Sequence, residues 1–182
     1  MRILITGASG FAGRHLVDHL AAVAPNADIW GLMWSEDPGE APPSVHRLTG
    51  DLALPSSLAH NIERARPDIV FHLAGATSVA SSWQQPDRSF LVNALGTLNL
   101  LEVLRSLDRM PVVVVATSAE IYGAVPEGKQ PIGEDMPLKP ISPYAASKAA
   151  QDLIAAQYHR GFSLPTVRLR LFPHTGPRRP AH

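Results

Sequence analysis

Runs of apolar residues alternate with segments of helical period along the whole chain. The apolar runs predict six β-strands, at residues 2–6, 28–33, 45–48, 69–73, 112–117 and 166–171. Several of these runs are almost wholly apolar, which is typical of parallel strands covered by helices on both faces of a sheet. The pattern therefore predicts an α/β protein.

Segments of helical period separate the strands. The predicted helices lie near residues 11–23, 56–64, 88–107 and 143–159. Right-handed crossovers would wind this series into a Rossmann-like, doubly wound parallel sheet, with ligands bound outside the carboxyl ends of the strands. The stretches 34–44 and 124–140 are rich in Pro, Gly and acidic residues, so we expect linkers or lids there.

The length of 182 residues favours a single domain. We expect residues 1–182 to form one nucleotide-binding domain that is truncated at its C-terminus. The last predicted strand is followed within a few residues by GPRRPAH, which leaves nothing to build a second domain over the open side of a site. The smaller C-terminal substrate domain is therefore expected to be lacking.

The amino-acid composition limits the classes of partner that the chain is expected to bind. Sixteen basic and sixteen acidic residues balance, so no net charge directs the chain to nucleic acid or to an anionic membrane. No apolar run approaches the roughly 18 residues that span a bilayer, and no leader pattern precedes the first strand, so we expect a cytoplasmic protein. The absence of Cys excludes thiolate chemistry, and His15 and His19 have no carboxylate at ligand spacing, so no metal is expected.

A glycine-rich turn joins the first predicted strand to the first predicted helix. Gly7 would permit the tight turn, Gly10 would let the backbone approach a pyrophosphate, and Gly13 would let helix and strand pack closely. With Phe11 at the start of the helix, these residues predict a dinucleotide site. A plain strand-to-helix turn is the alternative, but the position after the first strand of an α/β pattern favours binding.

The sequence leaves the choice between NAD and NADP open. Neither the acid that would hold a ribose 2′-hydroxyl nor the base that would favour a 2′-phosphate stands at the end of the second strand. Trp34 follows that strand, where it could lie against an adenine or simply pack in the loop. Both interpretations of Trp34 remain open.

Candidate catalytic groups occur at the end of the fifth predicted strand and on the last predicted helix. Tyr144 and Lys148 are four residues apart on a helix that Ser142 and Pro143 are expected to begin, so both side chains share one face. A lysine ammonium and a positively charged nicotinamide next to a tyrosine are expected to lower the pKa of the phenol toward neutrality. Ser118 ends an apolar strand at the sheet edge where substrates bind, and it could hydrogen-bond a reacting oxygen.

The glycine loop, Ser118, Tyr144 and Lys148, in this order, resemble the extended short-chain dehydrogenase/reductase family over essentially the whole chain. The resemblance implies that Asp51 and Leu52 contact adenine and that Leu73, Ala74 and Gly75 pass under the pyrophosphate. It also implies that Asn93 fixes the geometry of the active site. A surface acid, a small-residue turn and a helix-capping asparagine are the structural alternatives for these three groups.

Two stretches are similar to the GDP-mannose branch of this family, FHLAGATSVASSWQQPDRSFLVNALGTLNLLE and RLRLFPHTGPRR. The first resembles GDP-mannose 4,6-dehydratases and GDP-4-keto-6-deoxymannose reductases, and the second resembles the reductases. Pro173 stands where the reductases have an asparagine, and proline lacks the amide hydrogen bonds of that residue. Glu120 matches the glutamate base of the dehydratases, but a solvated acid at the end of a strand is an equal interpretation.

The resemblance implies NAD(P)H-dependent reduction of the 4-keto group of a GDP-4-keto-6-deoxyhexose. Tyr144 would deliver a proton, Ser118 would orient the oxygen, and Lys148 would tune the tyrosine and hold the nicotinamide ribose. A 4,6-dehydratase or a 4-epimerase is the alternative within the family, and a non-catalytic sensor or scaffold is the alternative from another class. We also expect a homodimer that binds a nucleotide sugar.

Overall fold

A computed structural model of the chain describes residues 1–34 and 45–179, and the predicted α/β architecture is confirmed. All six predicted strands are present within one residue of their expected ends. The strands are β1 (Arg2–Thr6), β2 (Asp28–Met33), β3 (Val45–Thr49), β4 (Ile69–His72), β5 (Val112–Ser118) and β6 (Thr166–Leu171). They pair in parallel in the order β3-β2-β1-β4-β5-β6, which is a doubly wound Rossmann-like sheet.

Helices cover both faces of the sheet. They are α1 (Phe11–Val23), α2 (Pro55–Ala65), α3 (Val79–Gln84), α4 (Pro86–Phe90), α5 (Gly96–Arg105) and α6 (Pro143–Phe162). Helix α6 begins as the sequence predicts, because the Ser142 hydroxyl accepts a hydrogen bond from the Ala145 amide at 3.1 Å and Pro143 occupies the first turn. It ends at Ser163, which adopts a left-handed conformation with φ 58°.

The prediction of one continuous helix over residues 88–107 is wrong. Pro86 starts α4 two residues earlier, and a π-helical turn over Leu91–Leu95 separates α4 from α5. In this turn the Gly96 amide donates to the Leu91 carbonyl, five residues back, so the helix holds one extra residue. A single 3.6-residue period cannot describe a helix whose register changes in the middle.

Two layers of apolar side chains cover the sheet. Because neighbouring residues of a strand point to opposite faces, Ile3 and Ile5 of β1 pack toward α1, whereas Leu4 packs toward α2 and α5. All three residues are 1% exposed or less. Burial on both faces explains why the strand sequences are continuously apolar rather than alternating.

The segment 124–140, predicted to be a linker or a lid, is packed against the fold. Val125, Met136 and Leu138 contact the buried side chains of Ile121 and Tyr122, next to α6. A short 3-10 helix, Glu127–Lys129, lies within it. The loop predicted for 34–44 lies outside the described residues except for Trp34.

No helix in the part of the chain that the structure describes has the length and hydropathy needed to cross a bilayer.

His72, the last residue of β4, is fully buried, and burial is the main cause that lowers its pKa to about 3, with a smaller contribution from the Lys148 charge. The folded chain therefore keeps a neutral imidazole, while the unfolded chain takes up a proton below its ordinary pKa near 6.5. We expect the free energy of unfolding to fall as pH decreases through this window, by about 2 kcal/mol between about pH 8 and pH 5 from this residue alone.

Urea unfolding at several pH values would measure this effect. His72→Gln should lose that part of the pH dependence, whereas His60→Gln, at an exposed position on α2, should keep all of it. The same pH dependence in both variants would contradict the assignment to His72.

Candidate active site

A cleft of about 1040 Å³ opens at the carboxyl ends of the strands. Carboxyl ends of parallel strands meet at one edge of a doubly wound sheet, so side chains from distant segments converge there. Of the residues predicted from the sequence, those that line this one cleft are Gly7, Gly10, Phe11, Gly13, Trp34, Asp51, Leu52, Leu73, Ala74, Gly75, Ser118, Glu120, Tyr144 and Lys148.

The glycine loop forms the floor of the cleft. Gly7 has φ 71°, and a Cβ there would lie 2.8 Å from the Ala74 amide nitrogen. A Cβ at Gly13 would overlap the Gly7 carbonyl oxygen, so the packing of helix against loop requires glycine there. A Cβ at Gly10 would meet a single atom, the same oxygen at 3.2 Å, and would otherwise project where the residue is exposed to the cleft. Gly7 and Gly13 are thus required by the fold, while Gly10 keeps the cleft open.

The N-terminus of α1 points its amides at the same place. Gly10 is the residue that caps this helix, with no side-chain hydrogen bond to the first turn and no acidic residue within it. The first amides of a helix carry partial positive charge and lack partners inside the helix. Phe11 and Gly13 of this turn line the cleft, so the loop is built to receive an anionic group such as a pyrophosphate.

The other end of the cleft is formed after β2 and β3. Trp34 is 49% exposed there. The Asp51 carboxylate accepts a hydrogen bond from the Ala53 amide at 2.8 Å, and the Leu52 carbonyl accepts one from the Asn99 side chain at 2.9 Å. These bonds fix the backbone at 51–53 and leave Asp51 at the wall of the cleft.

Asn93 is buried and does not line the cleft. It lies in the π-helical turn, where its side chain makes two hydrogen bonds with the backbone of Ala76, at 2.9 and 3.1 Å, and a third to the Ser147 hydroxyl at 2.9 Å. The segment that passes under the cleft is thereby tied to α6. Asn93 supports the site from behind.

Ser118 and Glu120 both lie close enough to Tyr144 to affect its phenol. Burial raises the pKa of Tyr144, the nearby Ser118 hydroxyl lowers it, and the Glu120 carboxylate raises it, with a net upward shift. Lys148 is not among the groups that shift this pKa, and desolvation exceeds the one favourable contribution, so the ammonium alone does not produce the predicted lowering. The phenol of Tyr144 is consequently protonated at neutral pH.

Lys148 is 5% exposed, and its ammonium lies inside the protein, one helical turn after Tyr144 on α6. The Nζ atom donates to the Ala116 carbonyl at 2.9 Å and to the Gln151 side-chain oxygen at 2.8 Å. Burial lowers the pKa of Lys148 to about 8, which still leaves most of the side chain charged at pH 7. An ammonium has three N–H bonds, so one remains after these two acceptors.

Sequence reasoning missed a group of buried polar residues at the floor of this cleft and behind it. Thr6, His72, Thr97 and Gln151 are fully buried and hydrogen-bonded to one another or to Lys148. The available signal was a polar residue at the end of each apolar strand, Thr6 in RILIT and His72 in IVFH. Among residues 1–34 and 45–179, no group of three or more His, Asp or Glu side chains is placed to hold a metal ion.

Comparison with known proteins agrees with this geometry. A family model described as GDP-mannose 4,6 dehydratase matches residues 4–182. The chain is 36% identical over 176 residues to GDP-6-deoxy-D-mannose reductase from Pseudomonas aeruginosa, covering 97% of this chain and 53% of the relative. The chain thus spans about half the length of this curated relative.

Two solved structures show the same fold. The UDP-glucose 4-epimerase of Thermus thermophilus, in complex with NAD, has a TM-score of 0.86 and 37% identity, over 93% of this chain and 54% of that one. RMD from Pseudomonas aeruginosa, complexed with NADPH, has a TM-score of 0.78 and 34% identity, over 97% of this chain and 55% of that one.

Proposed function

This chain belongs to the GDP-mannose 4,6-dehydratase family of extended short-chain dehydrogenases/reductases, and from this membership we propose that it carries the cofactor site and the acid-base groups of a nucleotide-sugar oxidoreductase. Residues 1–182 are proposed to form one NAD(P)-binding domain. The observation that carries the proposal is the convergence of the glycine loop with Ser118, Tyr144 and Lys148 on one cleft.

The cofactor is proposed to be NAD or NADP. The open space at Gly10 and the uncapped first turn of α1 suit a pyrophosphate, and the wall at Trp34 and Asp51 suits an adenosine. Relatives solved with NAD and with NADPH support both choices. A bound nicotinamide would supply or accept the hydride of the reaction.

The acid-base groups favour reduction of a carbonyl. Reduction adds a hydride to carbon and a proton to oxygen, so the protein must hold a proton donor at the oxygen. Tyr144 is such a donor, since its raised pKa keeps the phenol protonated at neutral pH. Ser118 would hydrogen-bond the same oxygen, and the remaining N–H of Lys148 would hold a ribose hydroxyl.

The substrate is proposed to be a GDP-4-keto-6-deoxyhexose such as GDP-4-keto-6-deoxymannose. The Pseudomonas aeruginosa relative, a GDP-6-deoxy-D-mannose reductase, supports this choice. Pro173 lines the cleft at the place where the resemblance predicts an asparagine. Proline lacks the side-chain amide of asparagine, so the substrate contacts at this position must differ from those of the reductases. A 4,6-dehydratase, with Glu120 as the base at the wall of the cleft, is the second candidate.

Gly10→Val is expected to abolish binding of NADH and NADPH while leaving the fold intact, because its side chain would fill the space for the pyrophosphate. The matched control is Gly128→Val, since a Cβ at Gly128 meets nothing within 4 Å. Isothermal titration calorimetry on both variants measures the affinity, and circular dichroism checks the fold. Unchanged affinity in a folded Gly10→Val chain would refute the cofactor site.

Tyr144→Phe is expected to lower kcat by about a hundred- to ten-thousandfold with little change in cofactor affinity, because only the proton donor is removed. Lys148→Met should weaken cofactor binding as well. The control is Tyr158→Phe, which removes a different phenol from the same helix. The hydroxyl of Tyr158 donates to Glu102, outside the cleft.

The assay follows reduced-cofactor absorbance with a GDP-4-keto-6-deoxyhexose, in this chain and in any longer natural form of it. Equal rates before and after the Tyr144 substitution would refute its assignment. A protein that binds NADH but turns over no nucleotide sugar would favour the non-catalytic sensor or scaffold.

We also propose a homodimer. Phe90, Leu91 and Leu95 are each more than 40% exposed and line one apolar groove on the helical surface, where a second copy could bury them. Leu95→Lys should shift the molar mass measured by light scattering from dimer to monomer. Val23→Lys, at an exposed apolar residue on α1, should not; a monomeric unsubstituted chain would contradict the proposal.

A further inference from the structure

The ammonium of Lys148 is held by a side chain for which the proposed reaction has no other use. Gln151 follows Lys148 by three residues on α6, is fully buried, and accepts the Nζ hydrogen bond at 2.8 Å. Lysine can only donate, so the oxygen of Gln151 must face Lys148 and its nitrogen must face away. That nitrogen donates to the Thr97 hydroxyl at 2.8 Å.

Thr97 fixes the direction of the next bond. Its hydroxyl donates its one hydrogen to the Asn93 carbonyl at 2.6 Å, because a carbonyl can only accept. The same oxygen therefore accepts from Gln151 and from the Nε2 atom of His72, which lies 2.8 Å away. His72 must carry its hydrogen on Nε2.

The chain of bonds continues to the floor of the cleft. A neutral His72 with hydrogen on Nε2 has a lone pair on Nδ1, so it accepts from the Thr6 hydroxyl at 2.7 Å. The Thr6 oxygen accepts in turn from the Ala74 amide at 3.2 Å. Ala74 lies in the segment that packs against the glycine loop, where a Cβ on Gly7 would touch its amide. Each hydrogen bond in this series therefore has only one possible direction.

We propose that Gln151, Thr97 and His72 are positioning residues, which hold the Lys148 ammonium at the cleft and join it through buried hydrogen bonds to the backbone at Ala74. The inference rests on the proposed function only in assigning Lys148 to the cofactor. The network itself is a property of the chain. Its members come from β1, β4, α5 and α6, so it fixes the helix that carries Tyr144 and Lys148 relative to the loop beneath the cofactor.

Nuclear magnetic resonance tests the network without any ligand. The chain has three lysines, so lysine labelled with ¹³C at Cε gives three signals, and the exposed Lys129 and Lys139 serve as internal controls. Gln151→Met removes the acceptor from the charged form of Lys148 and should lower the pH at which its signal titrates by about 1 unit or more. Gln151→Glu keeps an acceptor and should raise it.

Thr97 supplies a conservative pair of variants. Thr97→Val should move the Lys148 signal in the direction of Gln151→Met, because Gln151 loses the partner that orients it. Thr97→Ser keeps the hydroxyl and should restore the original signal. A role in packing alone would lower stability in these variants and leave the Lys148 titration unchanged, which would overturn the proposal.

Four other titratable groups are relevant to Lys148: His72 on β4, whose pKa responds to the Lys148 charge; Tyr144 and Asp152, four residues before and after it on α6; and Glu120, which lines the same cleft. All four are retained in these variants. The change at Lys148 can therefore be attributed to Gln151 and Thr97. Histidine labelled with ¹⁵N reports the tautomer of His72 in the unsubstituted chain. We expect hydrogen on Nε2 at neutral pH, and hydrogen on Nδ1 would overturn the direction of the network.

Calorimetry with NADH separates this inference from the proposed function. If the network positions Lys148, Gln151→Met should weaken NADH binding by about tenfold or more in a folded chain. An unsubstituted chain that fails to bind NADH, with the Lys148 shifts still present, would refute the cofactor assignment and uphold the network. Normal NADH binding with unchanged Lys148 signals in Gln151→Met would refute the network alone.

Discussion

An ammonium that has lost nearly all of its hydration must find its hydrogen-bond acceptors inside the protein, and Lys148 is in this position. The Ala116 carbonyl, available at the end of β5, and the side chain of Gln151 supply two of them. The bond to Ala116 depends on the depth at which α6 packs against β5, whereas Gln151 moves with Lys148 because both lie on α6. A small displacement of that helix would take one of these two acceptors from the ammonium, so the geometry of the cleft and the stability of the fold are linked.

The same need for partners explains why the sheet tolerates hydroxyls and an imidazole in its centre. Thr6 and His72 end β1 and β4, and each follows three apolar residues of its own strand. Buried polar groups are stable when each is hydrogen-bonded; these two bond to each other, and His72 also bonds to Thr97 on the helix beside them. Helix α5 thus contributes a polar partner to the site as well as leucines to the core.

Local patterns in the sequence were sufficient for the strands, the glycine loop and the start of α6. Each of these depends on neighbouring residues, as with the Ser142 cap and Pro143. Gln151 and His72 are linked through the Thr97 hydroxyl. This link depends on packing between elements that are far apart in the chain, so the spacing of residues in the sequence does not predict it. The raising of the Tyr144 pKa by burial is not visible in the sequence for a similar reason, because charge spacing can be read from sequence and the degree of burial cannot.

The π-helical turn at Leu91–Leu95 has a consequence for how this segment can vary. It holds an insertion of one residue that a regular α-helix would not contain. Removing that residue would make a more regular helix, yet it would rotate α4 by about 100° relative to α5. Ser89 would then leave its buried position, while Thr97 stayed in place. The number of residues in this segment is therefore constrained more strictly than the identity of each residue. A deletion would harm the site more than most substitutions in the same turn.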